Sequence, residues 1–118
     1  MAIANAIMVP HPPILLPQIG RGEERKIQAT ADACARAAQF VAAEKPDALV
    51  ILSPHAELYA DWFHISPGRG AQGNFSAFGA PGVRVGAVYD TALAERLCAL
   101  AAAENFPAGT AGRRQDGL

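Results

Sequence analysis

Two short apolar runs, each closed by a proline and then a histidine, constrain this chain more than anything else in it. Residues 3–9 give way to Pro10 and His11, with Pro12 and Pro13 behind them, and residues 48–52 give way to Ser53, Pro54 and His55. Both runs are short for a helix, and the prolines lack the N–H that a helix needs to continue, so both are expected to be strands. The second run is apolar at every position, the pattern of a central parallel strand covered on both faces. Between the runs, from about residue 23 to 44, Ile27, Ala31, Cys34, Ala38 and Val41 recur at three- and four-residue spacings, with Glu23, Arg25, Lys26, Asp32, Arg36 and Glu44 mostly on the other faces. That spacing predicts an amphipathic helix, stopped by Pro46. Strand, helix, strand is a crossover unit, and it points to an α/β fold with a mostly parallel sheet and helices packed on its faces.

Beyond the second run, Trp62, Phe63, His64 and Ile65 predict a third strand over 61–66, and the glycine-rich stretch 67–82 reads as a loop. Residues 83–89 alternate Val83, Val85, Ala87 and Tyr89 with Arg84, Gly86 and Val88, as a half-covered strand does. Asp90 or Thr91 is placed to cap a helix from 92 to about 104, and 106–112 begins a further strand. Residues 113–118 supply a turn but no closing element, so residues 1–118 are expected to be the N-terminal part of a single, incomplete domain.

Composition narrows the function classes. With 51% hydrophobic and 18% charged residues the chain is no disordered tail. Ten Lys and Arg against eleven Asp and Glu leave a net charge of −1 with no basic block, so nucleic acid is not an expected partner. The first ten residues carry no Lys or Arg, and no apolar stretch reaches the roughly 18 residues of a membrane span. Cys34 and Cys98 lie far apart in alanine-rich helical segments without zinc-type spacing, and are expected to be free thiols in a cytoplasmic protein.

The candidate chemistry lies in the matched histidines. In an open parallel sheet, ligands bind beyond the carboxyl ends of the strands, and His11 and His55 are both expected there, each on a backbone stiffened by the preceding proline. A crossover between neighbouring strands would bring the two imidazoles within reach of one metal ion. Two neutral imidazoles and a carboxylate form the facial triad of non-haem Fe(II) oxygenases; other third ligands suit zinc or copper. Glu57 and Asp61 follow His55 closely and are read as groups that orient an imidazole, or as solvated loop charges, rather than as ligands. His64, between Phe63 and Ile65, is read as a satisfied structural residue outside the site. Gly68, Gly70 and Gly73 spell a dinucleotide-type motif, but 74–82 holds Gly79, Pro81 and Gly82 and does not predict the helix such a motif must open. Trp62, Phe63, Phe75, Phe78 and Tyr89 are read as core more than as a substrate pocket.

These residues also carry a family resemblance. Val9 to Ile14 (Val-Pro-His-Pro-Pro-Ile), Gly20 and Gly22 before an acidic helix start, Lys45, Pro46 and Asp47 before the second run, Ser53-Pro54-His55 with Asp61 beyond, and the stretch 73–81 with Phe75 and Phe78-Gly79-Ala80-Pro81 resemble the class III extradiol ring-cleavage dioxygenases of the LigB type. Within that superfamily the chain is most similar to the Memo-like branch of AmmeMemoRadiSam system proteins. The resemblance implies that His11 and His55 bind a catalytic Fe(II), that the substrates are an aromatic diol and dioxygen, and that the full domain is an oxidoreductase. It also implies a later Leu-Asp-His-Gly motif carrying an acid-base histidine, and a late third metal ligand, neither of which occurs in these residues. The 118 residues alone are therefore expected to be inactive. The alternative function is a Memo-like metal-binding or interaction protein without ring cleavage, and an unpaired sheet edge would favour association with a second copy.

Overall fold

The structure, a computed structural model, describes residues 2–55 and 58–110. In chain order it has a 3-10 turn at Pro13–Leu15, helix α1 (Pro17–Gly20), a 3-10 stretch at Glu23–Ile27, helix α2 (Gln28–Ala43), strands β1 (Phe63–His64) and β2 (Gly70–Phe75), a 3-10 turn at Ser76–Phe78, strand β3 (Ala80–Val88), helix α3 (Thr91–Ala103) and strand β4 (Ala108–Gly109). β1 and β4 pair in parallel and β2 and β3 antiparallel, so the fold is mixed α/β. The expected parallel sheet is present only as its short β1/β4 pair. The chain divides into two units, Met1–Leu49 with Gly73–Val85, and Val50–Gln72 with Gly86–Leu118.

The first unit is built on α2. Pro17 opens α1 at a position where its missing N–H costs nothing, and Arg21 ends it in the left-handed region, its N–H donating to the Pro17 carbonyl at 2.9 Å. Gly20 is buried, and a Cβ there would lie 2.5 Å from Glu24 Oε2 and 2.8 Å from the Ile14 carbonyl oxygen. Gly22 has φ 104°, and its N–H donates to Glu24 Oε2 at 2.6 Å. This glycine-bracketed turn leads into the 3-10 stretch, so the helix expected from residue 23 becomes α-helical only at Gln28. Ile27, Ala31, Cys34 and Val41 are half-buried as the periodicity predicts, but Ala37 takes the place expected for Ala38. Ala29, Thr30, Ala33, Cys34 and Ala37 of α2 face Ile7, Met8, Val9 and Pro10 across an open apolar groove of about 400 Å³. The Cys34 thiol lies 3.9 Å from the Pro10 carbonyl oxygen.

The second unit holds the parallel pair. Phe63 lies opposite Ala108 and His64 opposite Gly109; the Phe63 N–H donates to the Pro107 carbonyl at 2.8 Å and the Ile65 N–H to the Gly109 carbonyl at 3.0 Å. Trp62 Nε1 donates to that same carbonyl at 3.1 Å, and Phe63 stacks on Phe106 with ring centroids 5.5 Å apart. α3 packs against β4. It is capped as expected by Asp90, whose Oδ1 accepts from the Leu93 N–H at 3.0 Å.

Three expectations are corrected. Residues 3–9 and 48–52 form no strand, and Met8 and Leu52 are 97% and 88% exposed. Neither run has a ladder partner among the described residues, and an apolar sequence becomes a strand only when a neighbour takes up its amides and carbonyls. The strand–helix–strand crossover is therefore not formed. The stretch 67–82 is not a loop throughout: it supplies β2 and the start of β3. Its turn closes with Gly79 at φ 79°, and no helix follows Gly73, which disposes of the dinucleotide motif. Finally, Phe63 and Phe78 are exposed while Trp62, Phe75 and Tyr89 are half-buried, so the aromatics are only partly core. Ala80, 6% exposed, is the one buried hydrophobic side chain of the core among the described residues. No helix among them is long and apolar enough to cross a membrane.

Candidate metal centre

His11 belongs to the first unit. It follows the exposed run directly and sits between Pro10 and the 3-10 turn that Pro13 opens, so its backbone is held by prolines on both sides. The carbonyl of Pro10, one residue before it, is the one that meets the Cys34 thiol on α2. His11 thus follows a segment, Ile7 to Pro10, that lines an open groove opposite α2, and its own side chain is exposed.

His55 belongs to the second unit and is likewise exposed. Its backbone N–H donates to Ser53 Oγ at 3.2 Å, a local side-chain turn that folds the Ser-Pro-His tripeptide back on itself. Serine at that position therefore has a structural duty in aiming the residue two places on. Asp61 is exposed, and Glu57 lies outside the described residues. Among the described residues no group of three His, Cys, Asp or Glu side chains is close enough to hold a metal ion. The donor chemistry of His11 and His55 suits iron, zinc or copper.

His64 departs from the sequence reading. It closes β1 at the carboxyl end of the parallel pair, half-buried, and its ring meets that of Tyr59 with centroids 5.8 Å apart at 58°. Its Nδ1 is sealed from water and has no hydrogen-bond partner. A satisfied structural histidine would have one, because an unmade bond at a buried polar atom costs about 1–3 kcal/mol. The signal available in the sequence was its place at the end of a strand, the position that singled out His11 and His55. The flanking Phe63 and Ile65 masked it.

Cys34 and Cys98 are free and half-buried on the inner sides of α2 and α3, as expected.

Two comparisons with known proteins bear on the site. Residues 5–117 match the family described as the catalytic LigB subunit of aromatic ring-opening dioxygenase. A protein of Clostridium acetobutylicum, known by a locus name alone, is 31% identical over 107 residues, covering 91% of this chain and 23% of the relative. The chain thus spans about a quarter of the length of the curated relative it matches. Neither comparison assigns it to the Memo-like branch. No solved structure matches the chain.

Proposed function

Because the chain belongs to the LigB family of aromatic ring-opening dioxygenases, we propose that His11 and His55 are two ligands of a non-haem Fe(II) centre in a domain that cleaves catechol-like rings with dioxygen. The observation that carries the reading is that the family match spans both Pro-His motifs, the two places where a histidine follows an apolar run on a proline-stiffened backbone. As neutral imidazoles the two side chains suit Fe(II), with Zn or Cu as alternatives, and leave room for a carboxylate as third ligand. When bound, the iron supplies a template on which the diol and dioxygen meet.

The chain's own contribution is positional. Pro10 and Pro13 restrict the backbone around His11, and Ser53 Oγ holds the turn that presents His55. A ligand held in one geometry before the metal arrives loses less freedom on binding, which favours affinity. The extradiol regiochemistry, an aromatic diol as substrate and a cytoplasmic location belong to the same proposal.

The test is metal content. After anaerobic loading with Fe(II) and removal of free metal, His11→Ala and His55→Ala are each expected to lower bound iron at least tenfold relative to the unsubstituted chain. Ser53→Ala should lower it by a smaller factor. Full iron retention in both histidine variants would overturn the assignment.

A further inference from the structure

Half-buried His64 carries an enclosed ring nitrogen that the proposed iron centre does not use. We infer that His64 is a ligand-binding residue, whose Nδ1 accepts a hydrogen bond from a hydroxyl of the aromatic diol once the Tyr59 ring turns aside. The choice of a diol as ligand rests on the ring-cleavage reading; the vacancy at Nδ1 does not.

Three observations combine. Nδ1 is enclosed without a partner, so the described structure leaves one strong polar group waiting. The ring against the imidazole is Tyr59, half-buried between the exposed residues Leu58 and Ala60. A side chain set between exposed residues is the kind of cover a ligand displaces, whereas β1, fixed to β4 by its ladder, is not. His64 also stands at the carboxyl end of the parallel pair, where ligands of parallel sheets are received. A phenolic hydroxyl suits the vacancy because it brings a donor to a bare acceptor on a flat ring. That ring can take over the aromatic contact Tyr59 gives up.

The experiment uses the whole chain labelled with ¹⁵N-histidine, read by imidazole nitrogen NMR, with one equivalent of Zn(II) as a diamagnetic ion and catechol as the probe. Catechol is expected to move the His64 Nδ1 signal towards hydrogen-bonded values, with His11 and His55 responding to Zn(II). His64→Leu should weaken catechol binding about tenfold, the scale of one hydrogen bond. His64→Asn sets its amide where Nδ1 stands and should restore affinity to within about twofold. His64→Gln sets its amide where Nε2 stands and should not. A mere structural role would give Asn no advantage over Gln.

Failures separate cleanly. Catechol that binds without moving His64 Nδ1, or binds as tightly to His64→Leu, overturns this inference and leaves the metal assignment standing. A His64 shift with no response of His11 and His55 to Zn(II) supports the inference and sinks the metal assignment. No catechol binding at all overturns the role given to His64.

Discussion

Gly20 shows how a single residue decides the entry to the first helix. Its neighbours leave no room for a methyl group, and one of the two, the Ile14 carbonyl at 2.8 Å, is backbone and has nowhere to go. Glu24 is the more yielding neighbour, yet its carboxylate also accepts from the Gly22 N–H, so moving it breaks the turn. Gly20→Ala is therefore expected to lower stability by about 1–3 kcal/mol, measured by denaturant unfolding. An unchanged midpoint would mean that the turn relaxes at no cost. The cysteines make the opposite case. Cys34 and Cys98 are free and half-buried, and a thiol so placed behaves as a small hydrophobe. Replacing both with Ala is expected to leave bound iron unchanged, with a loss of stability under about 1 kcal/mol per site, as metal analysis and thermal melting would show.

At the scale of elements, local signals were legible and pairing was not. The α2 face could be read because its period is set by the helix itself, with one slip from Ala38 to Ala37. The start of α3 could be read because a cap is a contact over three residues. Asp90→Ala should destabilise α3 by about 1 kcal/mol, whereas Asp90→Asn should cost far less, with helical circular dichroism as the measure. β1 and β4 fall inside the segments expected to be strands, yet much shorter, because two residues of ladder are all that Phe63 and His64 share with Ala108 and Gly109. The runs at 3–9 and 48–52 misled because apolarity shows that a segment wants covering without saying what will cover it. In 67–82, glycine suggested loop where an antiparallel hairpin forms; a hairpin's strand tolerates Gly70 and Gly73 when its partner lies alongside.

For the whole molecule, the motif histidines were legible as candidates because proline, histidine and the end of an apolar run lie together in sequence. His64 was not, since an unpartnered Nδ1 is a property of packing that only coordinates reveal. The family resemblance implies a Leu-Asp-His-Gly motif that these residues do not contain, and that carries an expectation for the 118-residue chain taken alone. General acid-base help, typically worth about 100- to 10,000-fold, would then be missing. Loaded with Fe(II) and given protocatechuate and oxygen, the chain is expected to form no yellow ring-opened product. Turnover that His11→Ala abolishes would show instead that Glu57, Asp61 or a second copy of the chain completes the centre.

Trp62 gives the molecule an optical reporter of its own. It is the single tryptophan of the chain, seven residues after His55 and two before His64, and its indole N–H is held by the Gly109 carbonyl. Any rearrangement that disturbs this bond alters the polarity around the indole and hence its emission. Fluorescence excited at the indole band then follows events beside His64, whose ladder partner is Gly109, without a label, and Trp62→Phe provides the dark control.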